Sequence, residues 1–385
     1  MHLYVHVPFC ARRCSYCDFA IAVRKEVPSR TYVEAVLKEY EALKALEALE
    51  YSPVETLYLG GGTPSHLDPA ELARLIRGLL SGPQHATPNT QHTVRELTLE
   101  TNPDDVTPAR AAAWVAAGVD RVSLGVQSFD PRVLEWMHRV HTSDQAREAR
   151  QALKQAGVGN ISLDLIYALP PELERDWARD LDAALALEPD HISLYGLTVE
   201  PHTPLARWVE RRESRVVDDE RYADEFLLAH HRLTAAGYEH YEVSNYARPG
   251  RRAIHNSAYW QRRPFLGLGP SAHSAMGERR WWNVREYAAW LEAVGRPGGQ
   301  AVGSTIFPAT VAGMEEIDAA KRRLEDLYLG LRTIDGLRAD LIPAQLLERW
   351  QSEGWARTAG PPDRLTVRLT PEGWLRLDAL VAQVA

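Results

Sequence analysis

The chain has 385 residues, 45% of them hydrophobic and 25% charged, with 25 Gly, 24 Pro and a formal net charge of −8. That length exceeds one average compact domain, so a barrel-sized domain with a smaller appendix is expected. The acidic balance argues against a general nucleic-acid binder, whose phosphate contacts need excess Lys and Arg. No apolar run reaches the ~18 residues of a spanning helix. The first residues lack the basic start and apolar stretch of a secretory signal, so a cytoplasmic location is expected.

Short β-rich runs then alternate with amphipathic, helix-length segments. Leu3–Val7 alternates as a strand does, and Ser29–Glu50 has helical periodicity with Ser29 as its expected cap. Thr56–Leu59 leads into Gly60-Gly61-Gly62-Thr63-Pro64 and a helix from about Pro69. Glu96–Thr101 precedes a helix opening near Thr107-Pro108, and Arg121–Gly125 precedes helical stretches between Pro131 and Ala156. Ile161–Ile166 precedes a helix around Trp177–Leu187, and His191–Leu197 one around Asp218–Ala236. Such alternation implies a parallel sheet with right-handed crossovers. Glycines and candidate ligands fall at the C-terminal ends of successive strands, where α/β barrels place their chemistry. A partial (β/α)6, TIM-like barrel is therefore expected.

The style changes near residue 300. Glu315–Leu331 reads as a helix, Pro343–Gly354 as another, Arg364–Leu369 as a β segment, and Thr370-Pro371-Glu372-Gly373 as the cap of a final helix. This order suggests a small winged-helix-like α+β module over 305–385, with the boundary at Gly295–Gly303. Residues 1–300 form the barrel domain, including an extension over about 240–300.

All three cysteines lie in Cys10-Ala-Arg-Arg-Cys14-Ser-Tyr-Cys17, just after the first strand. So close a spacing fits a metal site in a reducing compartment better than a disulfide framework. One loop can wrap three corners of a [4Fe–4S] cubane. With no fourth cysteine, one iron is left to another ligand. The amino and carboxylate groups of S-adenosylmethionine can chelate such an iron, and electron transfer into the sulfonium then releases a 5′-deoxyadenosyl radical. The competing assignment is a structural zinc site with His6 or Asp18 as fourth ligand.

Tyr4-Val-His6-Val-Pro8-Phe9-Cys10 together with this C-x3-C-x2-C run resembles the radical S-adenosylmethionine superfamily, and more narrowly the oxygen-independent coproporphyrinogen III oxidase group. The resemblance is strong over about residues 2 to 300 and weak beyond. It implies cluster ligation by Cys10, Cys14 and Cys17. It also implies cofactor contacts from Tyr4, Gly61, Gly62, Thr63, Glu100, Gln127, Arg139 and Asp164. The residue types suit those roles. Glycines admit close backbone approach, Glu100 can accept two ribose hydroxyls as acidic residues of dinucleotide sites do, and Arg139 can pair with a carboxylate. Gln127 offers donor and acceptor together. Asp164, flanked by Leu163 and Leu165, needs a cationic or hydroxyl partner if buried.

Three features separate two branches of that group. The decarboxylating oxidase has a further cysteine two residues after the third, where this chain has Phe19. It also has a long N-terminal arm, whereas nine residues precede Cys10 here. Finally, His255-Asn256-Ser257-Ala258-Tyr259-Trp260 matches the H-N-x-x-Y-W pattern of the heme-binding, chaperone-like branch. That resemblance implies heme as a ligand, with His255 as an axial-ligand candidate and Tyr259 and Trp260 packing on the porphyrin. The bland alternative makes His255 a satisfied polar residue beside an aromatic core. The expected partners are heme-accepting proteins, membrane-bound respiratory enzymes among them, with peripheral membrane association a corollary and no nucleic acid. The enzyme alternative is the oxidase itself; a nucleic-acid-binding regulator rests only on the C-terminal module.

Overall fold

Alternation along the first strand, β1 (His2–Val7), explains how the sheet divides its faces. Leu3, Val5 and Val7 are fully buried, and the intervening His2, Tyr4 and His6 project from the opposite face. The same division runs through β2 (Thr56–Gly61), β3 (Glu96–Thr101) and β4 (Arg121–Gln127), which pair in parallel in that order. The register aligns Val5 with Leu59 and Leu59 with Leu99, so one face is apolar. It aligns Tyr4 with Tyr58 and Glu100 with Ser123 on the other. The apolar face packs under helices α1 (Ser29–Lys44), α2 (Pro69–Leu80), α3 (Pro108–Ala116) and α5 (Ser143–Ala156), whose buried faces join one hydrophobic cluster. The shorter α4 (Pro131–Trp136) follows β4. The polar face lines the interior of an open, partial barrel.

The computed structural model describes residues 1–44, 53–81, 94–296, 298–302, 305–361 and 364–384. They form two units. The first comprises Met1–Asp164, Thr198–Ser214 and Arg263–Glu316, and the second Leu165–Leu197, Arg215–Arg262 and Ile317–Ala385. In the first, β4 is followed by β5 (Asn160–Tyr167), whose residues from Leu165 on belong to the second unit, and β1 is flanked on its other side by a parallel strand, Phe265–Leu268. Antiparallel strands His273–Met276, Arg279–Asn283 and Val311–Glu316 extend the sheet beyond it. Glu39 of α1 ties this extension down. Its buried carboxylate accepts from Gly269 N (2.7 Å), Asn283 Nδ2 (2.8 Å) and Trp290 Nε1 (3.0 Å).

Local signals account for the helix ends. Asp68 caps α2 by accepting from Ala70 N and Glu71 N, with Pro69 at the first helical position. Thr142 and Gln145 form a reciprocal capping box on α5, which stops at Gly157 with φ +92°.

In the second unit, strand His191–Gly196 pairs antiparallel with Asn245–Ala247, which pairs with Glu239–Glu242. Arg175 is buried and held by Glu225 (2.7 Å) and Asp180 (3.5 Å). The C-terminal segment supplies helices Ala319–Leu331 and Ala344–Ser352. It also supplies a three-stranded sheet in the order Leu337–Arg338, Thr366–Leu369, Ala356–Ala359.

Several elements depart from the sequence reading. The helix expected from Glu315 begins at Ala319, because Val311–Glu316 is a strand completing the sheet edge and Asp318 caps the helix. Gly267 lies in the strand beside β1, where only glycine fits, since an added Cβ would sit 2.1 Å from His273 O. Ser29 is the first residue of α1 rather than its cap, and its Oγ accepts from Asp68 N. The expected end of that helix beyond Lys44, and residues 297 and 303 of the expected boundary, lie outside the described residues.

Candidate functional site

The cysteine loop leaves the C-terminal end of β1 and is held on several sides. Ala22 N donates to Pro8 O (2.7 Å), Arg24 N to Cys10 O (3.0 Å) and Ser15 N to Met137 O (3.2 Å). Ser15 O accepts from Leu205 N (2.9 Å), and Asp18 O from Arg285 Nη2 (2.6 Å). All three thiols are free and partly buried. Burial pushes the Cys10 and Cys17 thiols up to about 11, so each keeps its proton until a metal displaces it.

A hydrogen-bonded bracket joins two of the sulfurs. Thr63 Oγ1 donates to Cys10 Sγ (3.5 Å), and Asn102 Nδ2 donates to Thr63 Oγ1 (3.4 Å). Asn102 Oδ1 accepts from Arg139 Nη2 (2.5 Å), and Arg139 Nη1 donates to Cys14 Sγ (3.6 Å). Arg139 is further fixed by Gly125 O (2.7 Å). Donors aimed at sulfur suit thiolate acceptors.

The glycine run forms a cradle that any side chain would fill. A Cβ on Gly60 would lie 2.7 Å from the Tyr58 ring, 3.0 Å from that of Tyr4 and 3.1 Å from Glu100 Oε1. Gly61 has φ +111°, and its Cβ would meet the His6 ring at 2.7 Å. A Cβ on Gly62 would meet the Pro8 and Phe9 carbonyls at 2.9 Å. Tyr4 OH donates to His6 Nδ1 (3.1 Å), while His6 Nε2 donates to Ala20 O (2.8 Å). A carbonyl can only accept, which assigns the His6 proton to Nε2. His6 could become a zinc ligand only by giving up one of these bonds. Among the described residues, no three His, Cys, Asp or Glu side chains converge tightly enough to hold a single metal ion.

Glu100 ends β3 with Oε1 accepting from Tyr58 OH (2.7 Å) and Oε2 from Gly61 N (3.0 Å). Burial, reinforced by the nearby Asp164 charge, pushes its carboxyl up to about 7. Asp164 has the hydroxyl partner its flanking residues called for: Ser123 Oγ is 2.9 Å from each of its oxygens. Gln127 closes β4 with φ +66°, and its Nε2 lies 3.1 Å from where a Cβ on Gly125 would be. A left-handed non-glycine residue at a strand's C-terminal end is where functional strain concentrates.

The structure thus brings together the cysteine loop, Tyr4, Gly61, Gly62, Thr63, Glu100 and Arg139, with Gln127 at the end of β4 and Asp164 within β5. His255 belongs to the second unit. It is 1% exposed, and its Nε2 lies 2.7 Å from Tyr259 OH. Trp260 packs under the Arg332 guanidinium (4.4 Å), which pairs with buried Glu242 (2.9 Å). Through Trp260 the H-N-x-x-Y-W run, on helix Ile254–Trp260, thus meets the end of helix Ala319–Leu331, which Arg332 follows. Sequence reasoning missed Asn102, the hub of the bracket, and Tyr58, which orients Glu100. Both carried a signal: Asn102 follows Glu100 by two residues, and Tyr58 precedes Gly60 by two on the same face.

An open parallel sheet with a three-cysteine loop after its first strand defines a radical S-adenosylmethionine protein, and residues 4–184 match the model of the Radical SAM superfamily. The chain is 38% identical over 386 residues to "Heme chaperone HemW" of Mycobacterium tuberculosis (strain H37Rv), covering 98% of this chain and 93% of that one. It is 35% identical over 353 residues to "Heme chaperone HemW" of Synechocystis sp. (strain PCC 6803), covering 89% and 80%. Within the superfamily, the chain belongs to the HemW family. The solved structure of coproporphyrinogen III oxidase (HemN) from Escherichia coli shares the fold, with TM-score 0.76 and 21% identity over 99% of this chain and 88% of that one.

Proposed function

We propose that this protein is a heme chaperone that binds heme and passes it to heme-requiring proteins, and that it holds a [4Fe–4S] cluster and S-adenosylmethionine at the site above. The observation that carries this is near-full-length similarity to chains named heme chaperones, joined to an intact cysteine bracket and glycine cradle. Cys10, Cys14 and Cys17 would supply three thiolates and leave one iron to the amino and carboxylate groups of S-adenosylmethionine. When bound, the cluster supplies one electron to the sulfonium, which releases a 5′-deoxyadenosyl radical.

The chain's own groups do the positioning. Thr63 and Arg139 donate to the sulfurs and favour their deprotonated form. The bare backbone of Gly60–Gly62 lets a nucleoside approach the sheet edge. Glu100, aligned by Tyr58 and Gly61 N, accepts the ribose hydroxyls, with Gln127 and Asp164 as the remaining polar wall. Among the described residues no helix is long and apolar enough to cross a membrane. Acceptors, membrane-bound respiratory enzymes among them, would meet the protein from outside the bilayer.

Hemin titration of the full-length protein tests the reading. A saturable Soret band supports it. Absence of saturation would overturn it, and formation of carbon dioxide and protoporphyrinogen from coproporphyrinogen III with S-adenosylmethionine and a reductant would replace it with the oxidase.

A further inference from the structure

The cysteine loop presents apolar side chains and unpaired cations together on its outer side. Phe9–Cys10 pairs in parallel with Ala22–Val23, which sets Val23 opposite Cys10, and Arg24 N donates to Cys10 O (3.0 Å). Phe19, two residues beyond Cys17, is 59% exposed, and Val23 is 46% exposed. Arg12, Arg13, Arg24 and Lys25 are all exposed, and none of them has an ion pair among the described residues. Exposed arginines elsewhere in the same unit do find carboxylates, as Arg30 finds Glu34 and Arg132 finds Asp130. Within residues 11–26 these four cations outnumber the acids, Asp18 and Glu26, on a chain whose net charge is −8. The Arg13 guanidinium is close enough to favour the Cys10 thiolate. Exposed apolar groups rimmed by unsatisfied charge mark an interaction surface.

From this arrangement we infer that the outer side of the cysteine loop is the docking surface for an acidic, one-electron carrier protein. Phe19 and Val23 form the centre of the contact, and Arg12, Arg13, Arg24 and Lys25 meet carboxylates of the partner around it. The inference rests on the cluster reading and specifies where the electron enters. The three cysteines all lie in this loop and leave none for a second cluster in the chain, so a separate reductant is needed. The step moves one electron: the carrier is oxidised by one, the cluster is reduced by one, and no bond or proton changes hands. Complementary charge steers such a partner, and a small apolar centre suits a contact that forms and dissociates quickly. Anionic lipid would recognise the same charges. The patch, however, lies on the wall of the redox loop rather than on an amphipathic helix.

The test uses the reconstituted full-length protein with a plant-type [2Fe–2S] ferredoxin as the acidic carrier. Calorimetric titration at low and high salt measures binding, and stopped-flow absorbance measures reduction of the cluster by the carrier. The variants are Arg12→Glu/Arg24→Glu, Phe19→Ser and the control Arg357→Glu/Arg368→Glu. Arg357 and Arg368 stand opposite each other in the C-terminal sheet, exposed and without an ion pair among the described residues, so their reversal changes the net charge equally. Wild type is expected to bind weakly but saturably, less well as salt rises. Arg12→Glu/Arg24→Glu should bind roughly tenfold or more weakly and be reduced more slowly by the carrier. Phe19→Ser should weaken binding with the salt dependence kept, and the control should match wild type. Dithionite, which needs no docking surface, should reduce the cluster to the same extent in every variant. If wild type does not bind the carrier, or the loop reversal changes nothing, or the control weakens binding as much, the assignment is overturned while the cluster reading stands. A loop reversal that abolishes sedimentation with phosphatidylglycerol vesicles but leaves carrier binding intact would give the surface to lipid instead. If dithionite yields no reduced cluster signal in wild type, the cluster reading falls, and this inference with it.

Discussion

Replacing Gly61 by Ala separates what the cradle requires from what any left-handed glycine requires. An L side chain at left-handed φ costs roughly 1–2 kcal/mol. Gly61 has φ +111°, and its added Cβ would also press on the His6 ring at 2.7 Å. That ring cannot swing away freely, because Nε2 is bound to Ala20 O (2.8 Å) and Nδ1 to Tyr4 OH (3.1 Å). Relieving the overlap sacrifices one or both bonds, at about 0.5–1.5 kcal/mol each. The total is roughly 1.5–5 kcal/mol. Gly157 supplies the reference, with φ +92° and nothing within 4 Å of an added Cβ. Gly157→Ala should therefore show only the backbone cost. Denaturant unfolding of both variants, compared at equal m-values, measures the difference. Equal destabilisation would refute the claim that His6 is locked behind the glycine run.

Three further predictions follow from buried partners. Asn102→Ala removes an acceptor from the Arg139 guanidinium and a donor from Thr63. Weaker hydrogen bonding to the Cys10 and Cys14 sulfurs should make the midpoint potential of the reconstituted cluster more negative, and an unchanged potential would exclude the bracket as a tuning device. Glu100, pushed up from 4.5 to about 7, holds its proton below that pH. Its raised value favours folding at low pH and loses that contribution as pH climbs through about 7. Ribose binding needs the carboxylate, so affinity for S-adenosylmethionine should fall as pH drops from 8 to ~6, and Glu100→Gln should be weak and flat across that range. Glu225→Gln strips the closest counter-charge (2.7 Å) from buried Arg175 and leaves Asp180 at 3.5 Å. A loss near 3 kcal/mol, the low end of ~3–5 kcal/mol for breaking such a pair, should appear in thermal unfolding.

Period-two alternation and strand-to-helix spacing made the βα succession legible, because β1 to β5 carry their signal within single segments. The cysteine loop and glycine run were legible for a similar reason, since their ligands or turns are contiguous. The antiparallel extension was not. Arg279-Arg280-Trp281-Trp282 shows no apolar alternation, and its place is fixed by pairing with Val311–Glu316 and by the Glu39 anchor, contacts remote in sequence. Asn102 escaped notice because its importance lies in two partners, Thr63 and Arg139, both 37 or more residues away. The H-N-x-x-Y-W run was visible as a pattern, but its burial against Arg332 depends on the C-terminal segment.

The central claim is that three cysteines hold a cluster with one iron left for S-adenosylmethionine. Electron paramagnetic resonance of the anaerobically reconstituted, reduced protein, recorded with and without the cofactor, tests it most directly. A reduced [4Fe–4S] signal that changes on adding S-adenosylmethionine is the predicted result. A signal indifferent to the cofactor, or no cluster signal at all, would contradict the account.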